Sequence, residues 1–171
     1  MAVGVQGDKN TSVTGIDFDV IIVGAGFAGM YMLHRMRRMG LKAIVFEAGS
    51  GVGGTWFWNR YPGARCDVES VQYSYQFDKE LEQEWTWSEK YSPQPEILKY
   101  ANHVADRFKL REDICFNTRI KSSIYDEDKT QWEIITDQGD IYRSSFCVFA
   151  TGCLSSFNLP RFEGMDDFSG A

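Results

Sequence analysis

Residues Gly24-Ala25-Gly26-Phe27-Ala28-Gly29 form a G-x-G-x-x-G turn whose flanks fix its setting. Before it, Asp19-Val20-Ile21-Ile22-Val23 is a short, continuous, mostly apolar run, the pattern of a strand buried on both faces of a parallel sheet. After it, Met30, Leu33 and Met36, with Tyr31 beside them, repeat at helical spacing from Phe27 to Met39, and Gly40 stands at the stop. Lys42 to Phe46 reads as a second strand, so strand, turn, helix and strand make a right-handed βαβ unit. In such a unit the first glycine allows the tight turn and the second lets backbone amides reach a pyrophosphate. The third lets helix and strand approach, and the helix N-terminus faces the anion. A glycine-rich turn without a ligand is the alternative.

Glu47 closes the second strand about twenty residues after the turn, where a carboxylate accepts hydrogen bonds from an adenosine ribose. A carboxylate there repels a 2'-phosphate, and no Arg follows in Ala48-Gly49-Ser50. NADPH is therefore disfavoured at this turn, whereas FAD and NAD both fit.

Beyond Glu47 regularity lapses through a Gly-rich turn and an aromatic loop ending near Asp67, and loops that long are usually functional. Pro93 and Pro95 fix the chain before a helix whose apolar face is Ile97, Leu98, Ala101, Val104, Ala105 and Phe108. Ile114 to Phe116 is a strand candidate. Thr118 to Tyr125, Gln131 to Thr136 and Ile141 to Phe149 read as an antiparallel meander, with a turn at Asp137-Gln138-Gly139-Asp140. Residues 1 to 16 read as a flexible tail, and Leu154 to Ala171 is loop-like, ending without a closing element as though cut.

Composition narrows the function. The net charge of -6 and the absence of clustered Lys/Arg argue against nucleic acid. The most apolar stretch, Val20 to Leu33, is Gly-interrupted and shorter than the ~20 residues that cross a bilayer, so no membrane span is expected. Met1 to Ile16 lacks the basic start and apolar core of a signal peptide, which reads as a cytoplasmic protein. The four cysteines, Cys66, Cys115, Cys147 and Cys153, form no C-x-x-C pair and read as reduced thiols, mostly in core strands. His34 and His103 each fall in a helix without a partner motif, which argues against metal or triad chemistry.

Gly53-Gly54-Thr55-Trp56-Phe57-Trp58-Asn59-Arg60-Tyr61-Pro62-Gly63-Ala64-Arg65-Cys66-Asp67 is the most distinctive stretch. Three large rings beside Arg60, Arg65 and Asp67, without hydrophobic periodicity, suit a planar and partly polar ligand better than a core. A surface loop with buried aromatics is the alternative. The stretch resembles, without a gap, the second signature of Baeyer-Villiger monooxygenases of the cyclohexanone and phenylacetone monooxygenase type. That signature runs Gly-x-Trp, four residues, aromatic-Pro-Gly, three residues, Asp, and Gly54, Trp56, Tyr61, Pro62, Gly63 and Asp67 stand in register. Cys147 to Gly152 likewise resembles the second FAD fingerprint of two-dinucleotide flavoproteins, with Ala150, Thr151 and Gly152 approaching the nucleotide. Phe168-Ser169-Gly170 looks like the opening of the family's F-x-G-x-x-x-H-T-x-x-W fingerprint.

The resemblance implies an α/β, doubly wound, Rossmann-like FAD domain of a two-dinucleotide-binding flavoprotein, with a βαβ unit and an antiparallel meander, truncated. It implies a flexible tail over 1–16, an FAD-binding domain over 17–154 and the start of a linker to an NADPH domain over 155–171. Gly24, Gly26, Ala28 and Gly29 fall at the FAD pyrophosphate and Glu47 at its ribose. Thr55, Trp56, Phe57, Trp58, Tyr73 and the backbone of Ile120 line the rest of the nucleotide, and Phe27, Gly53, Gly54 and Val68 belong to the same cofactor-binding set. Asp67 falls near the flavin ring as the catalytic residue, tuning an essential Arg, with Arg65 and Cys66 beside the NADPH nicotinamide. The implied reaction is NADPH- and O2-dependent insertion of oxygen next to a ketone carbonyl, giving an ester or lactone. Neither that Arg nor a second G-x-G-x-x-G occurs in the 171 residues, so the chain alone is expected to be inactive. Two rivals are an enzyme that oxygenates nitrogen or sulfur, against which the gapless aromatic loop argues, and a non-catalytic flavin-binding module.

Overall fold

The computed structural model describes residues 15–154 and 158–170. All but the last two residues of the expected tail lie outside that range, as do residues 155–157 and 171 of the expected linker. A six-stranded sheet in the order β3-β2-β1-β6-β5-β4 organises the chain. Strand β1 (Phe18–Val23) is followed by α1 (Phe27–Arg38) and β2 (Ala43–Phe46), the expected βαβ unit, with β1 and β2 parallel from Val20 opposite Ala43 to Val23 opposite Phe46. Strand β3 (Ile114–Cys115) extends it parallel to β2, and the meander is β4 (Ile120–Asp126), β5 (Gln131–Thr136) and β6 (Ile141–Phe149).

The meander is not a separate sheet. The first part of β6 pairs antiparallel with β5 through Ile141, Tyr142, Arg143 and Ser144, and the strand then runs parallel to β1 through Phe149. Ser144 is fully buried where the two pairings meet.

Alternation along β1 and β2 sends Val20, Ile22 and Val45 to one face, and Ile21, Ile44 and Phe46 to the other. The first set packs on Met30 and Leu33 of α1 and on Ala101 and Ala105 of α4 (Gln94–Arg107). The second set is covered by Ile134, Trp132 and Ile120 of the meander. Both long helices thus lie on one face, and the meander occupies the place where a doubly wound sheet carries its second helical layer. Two short helices, α2 (Thr55–Trp58) and α3 (Lys79–Glu84), interrupt the long connection between β2 and α4. Asp78 caps α3 by accepting a hydrogen bond from the Leu81 N–H at 2.8 Å. No helix among the described residues is long and apolar enough to cross a membrane.

Candidate functional site: a nucleotide cleft at the strand ends

The C-terminal ends of β1, β2 and β6 open on a cleft of about 530 Å³, the usual ligand position in an open α/β sheet. Gly24 takes the turn with a φ of 102°, and a Cβ there would lie 2.7 Å from the Ala150 carbonyl oxygen. At Gly29 an added Cβ would lie 1.9 Å from the Gly24 carbonyl oxygen, so only glycine lets α1 sit this close to the turn. Gly26 differs: its φ of -75° suits any residue, and a Cβ would meet nothing nearer than Gly54 Cα at 3.4 Å. Packing does not demand glycine there, but a ligand reaching the amides would.

Those amides open α1. The helix has no side-chain cap and no acid in its first turn, while Arg35, Arg37 and Arg38 occupy its last, which leaves the N-terminal end free to face an anion. The Ala25 N–H is already used: it donates to Glu47 Oε2 at 2.6 Å, and the Gly49 N–H donates to Oε1 at 2.7 Å. These bonds hold the buried Glu47 carboxylate in place. Because each oxygen accepts more than one bond, capacity remains for ribose hydroxyls.

A second glycine turn forms the opposite lip. Gly53 donates its N–H to the Ala25 carbonyl at 3.0 Å, and Gly54, with a φ of 55°, approaches Gly26 so closely that a Cβ would lie 2.9 Å from its Cα. From this lip α2 projects Trp56, which is 7% exposed and donates its Nε1–H to the Tyr73 hydroxyl at 2.8 Å. Burial pushes the Tyr73 phenol above its usual range and the nearby Asp67 charge acts the same way, against the Trp56 hydrogen bond. Thr55 and Ile120 line the cleft, as does Trp58, 52% exposed at its edge. Phe27 and Ala28 and the turn Ala150, Thr151 and Gly152 complete it.

Other expected site residues stand outside this lining. Gly29 lies behind the turn. The Phe57 ring packs against Gly49 and Gly51 with the Arg60 guanidinium 4.8 Å from its centroid, so of the three loop rings Phe57 serves packing. Cys66 is buried against Trp56 and Ile97, whereas Val68 and Asp67 are exposed, and Asp67 makes no hydrogen bond or ion pair among the described residues. Arg65 points outward to Glu89 at 2.5 Å and to the Tyr91 carbonyl at 2.7 Å.

Sequence reasoning missed Arg119. It follows Thr118, whose N–H donates to the Glu47 carbonyl at 2.9 Å, and both Thr118 and Arg119 line the cleft. Glu47 and Arg119 are the two charged side chains of that lining. The stretch after Glu47 holds no cation, but the start of β4 brings one to the same opening. Nothing local signals it, since Arg119 stands 72 positions from Glu47 by their numbers in the chain.

The cysteines are free: Cys66 is buried, Cys115 and Cys147 half-buried in strands, and Cys153 exposed. Burial raises the thiol pKa of both strand cysteines. His34 packs between Phe77 and Phe108, and His103 Nε2 lies 3.5 Å from Glu84.

Parallel strands ending on a glycine turn, an acid at the end of β2 and a cleft of about 530 Å³ at the strand ends define a Rossmann-like dinucleotide-binding domain. The chain belongs to the pyridine nucleotide-disulphide oxidoreductase family, whose model matches residues 21–170. It is 45% identical over 163 residues to a Baeyer-Villiger monooxygenase of Pseudooceanicola batsensis, covering 95% of this chain and 30% of that protein. To a phenazine N-monooxygenase of Lysobacter antibioticus it is 47% identical over 154 residues, covering 90% of this chain and 28% of that protein. A solved structure of oxidized steroid monooxygenase bound to NADP matches with a TM-score of 0.83 and 60% identity, over 87% of this chain and 29% of that one. The chain therefore spans less than a third of the length of these relatives.

Proposed function

We propose that the chain is the FAD-binding part of an NADPH- and O2-dependent monooxygenase that converts a ketone to an ester or lactone. The carrying observation is the cleft. It combines an anion-facing helix end, a Gly26 that packing does not require to be glycine, a Glu47 carboxylate with capacity left for a ribose, and the aromatic wall at Trp56 and Tyr73. Residues 17–154 form the FAD domain in this reading, residues 155–171 begin a linker, and the protein is cytoplasmic.

Bound FAD supplies two-electron chemistry and a site for oxygen activation. The chain's own part would be to hold it: the amides of Gly26, Phe27 and Ala28 would receive the pyrophosphate, Glu47 would accept from the ribose, and the turn Ala150 to Gly152 would border the rest of the cofactor. Asp67, exposed beside the Tyr73 side of the cleft, orients and stabilises a cation supplied by another part of the protein.

Calorimetric titration of the 171-residue chain with FAD, FMN and NADP+ tests the cofactor. FAD should bind most tightly; tighter binding of NADP+ overturns the assignment. For the reaction, Asp67→Ala in a complete homologous enzyme should retain FAD yet lose about tenfold or more in ketone oxidation, ~1.4 kcal/mol in the barrier. Unchanged ester formation refutes the role of Asp67.

The phenazine N-monooxygenase is as similar to this chain as the Baeyer-Villiger relative, so overall similarity does not by itself separate carbon from nitrogen oxygenation. Assay of the complete protein with ketones and with aromatic N-heterocycles decides between them.

A further inference from the structure

Gln94 opens α4 and is only 8% exposed. Its backbone N–H donates to the Ala64 carbonyl at 2.9 Å, and its side-chain Nε2 donates to the Trp56 carbonyl at 2.5 Å. One residue thus bonds both the segment leading to Asp67 and the wall of the nucleotide cleft. Pro93 and Pro95 flank it, and with one proline fixing the chain on each side its side chain starts from a nearly fixed point.

The surrounding bonds make the tie mechanical. Residues 64–70 are zipped onto residues 89–94: Cys66 N–H donates to the Ser92 carbonyl at 3.2 Å, Ser92 N–H to the buried Ser70 hydroxyl at 2.9 Å, and Ser70 N–H to the Lys90 carbonyl at 2.8 Å. An antiparallel bridge joins Arg65 and Pro93. Cys66 packs against the Trp56 side chain, and among these bonded residues it is Gln94 that hydrogen-bonds the Trp56 backbone. The zipped unit carries Asp67, which has no hydrogen bond of its own among the described residues to place it.

We propose that Gln94 is a positioning residue that ties the Arg65-Cys66-Asp67 segment to the cleft wall at Trp56, so that a nucleotide seated on that wall also orders Asp67. The purpose of the tie rests on the flavin reading above; the tie itself does not. A side-chain donor is essential. Methionine has nearly the length of glutamine but no N–H, and a carboxylate at this position would face the Trp56 carbonyl with a second acceptor.

Hydrogen exchange of the 171-residue chain, read by mass spectrometry, tests it. In Gln94→Met, residues 64–67 should exchange about tenfold faster, as loss of one net hydrogen bond requires, while α4 beyond Tyr100 keeps its wild-type protection. In Gln94→Glu only the protonated acid can donate, so protection over 64–67 should recover as the pH is lowered and fall as it is raised, relative to wild type at each pH. With FAD added, wild type should gain protection at 55–58 and 64–67, and Gln94→Met at 55–58 alone. Wild-type protection of 64–67 in Gln94→Met, or loosening that spreads equally through α4, overturns the proposal. Should Gln94→Met fail to fold, the pH recovery of Gln94→Glu decides, and its absence overturns the proposal equally. FAD that protects neither segment of the wild type sinks the flavin reading and leaves the tie to be judged on the ligand-free arms.

Discussion

At Gly26 a side chain costs the protein little, because the backbone angles suit any residue and the nearest atom to an added Cβ is 3.4 Å away. The bulk would enter the cleft instead. Gly26→Val should therefore keep the far-UV circular dichroism of wild type, losing up to about 1 kcal/mol as a poorer helix cap, while FAD affinity falls at least about tenfold. Unchanged FAD affinity by titration would mean that the pyrophosphate lies elsewhere. Arg119 makes the complementary case. It is the cation of a cleft proposed to take a pyrophosphate in a chain of net charge -6, but it is exposed and screened by solvent. Arg119→Ala should weaken FAD by roughly threefold, under ~1 kcal/mol, with the loss shrinking as salt is raised. A salt-independent loss would point to packing rather than charge. Residues such as Gly24 and Glu47 are legible in sequence because their partners lie within one βαβ unit. Arg119 and Gln94 are not, since each acquires its role from chain folded back from a distant position.

Among the elements, α1 was the most legible and α3 the least. Met30, Leu33 and Met36 give α1 a periodic apolar face, whereas α3 buries only Leu81 and rests on the Asp78 cap and the acids Glu80 and Glu82. An Asp followed by Lys-Glu-Leu-Glu was the available signal, too short for periodicity to register. The meander strands were also legible, but not that β6 leaves β5 to join β1, because alternation says which face a residue takes and not which neighbour it pairs with. On α1, His34 packs 4.6 Å from Phe77 and 4.8 Å from Phe108 by ring centroids. Burial lowers its pKa, and the charge of Arg38, with smaller contributions from Arg35 and Arg37, adds to this against Asp78. The folded protein therefore binds this proton less readily than the unfolded chain. His34 does not oppose folding above the unfolded pKa of 6.5, and it costs stability as the pH falls below that value toward the lowered folded pKa. Urea denaturation of His34→Phe at pH 7 and pH 5 should show a smaller loss between the two than wild type shows; an equal loss would clear His34 of the effect.

For the whole molecule, the long pairings matter most. β1 pairs with β2 on one side and with β6 on the other, and below β1 Asp17 and Arg143 exchange two bonds: Asp17 N–H donates to the Arg143 carbonyl at 2.9 Å, and Arg143 N–H to Asp17 Oδ2 at 2.8 Å. A chain ending at Asp140 would leave one side of β1 open and β4 and β5 without strand pairing to the parallel strands, held to them by side-chain packing alone on that face. It should lose the single cooperative urea transition expected of residues 1–171, and a sharp transition with an unchanged slope would show that β6 is dispensable. The pairing also sets a timetable for synthesis. Asp17 and Arg143 stand 126 positions apart, which at 5–20 residues per second is a wait of roughly 6 to 25 s before β1 can meet its second neighbour. During that time Ile21 and Ile22 emerge from the ribosome with one flank uncovered. The carbonyl of Ala150 that closes over Gly24 is made later still, so the lining of the cleft is complete only after almost all of residues 1–171 have been translated.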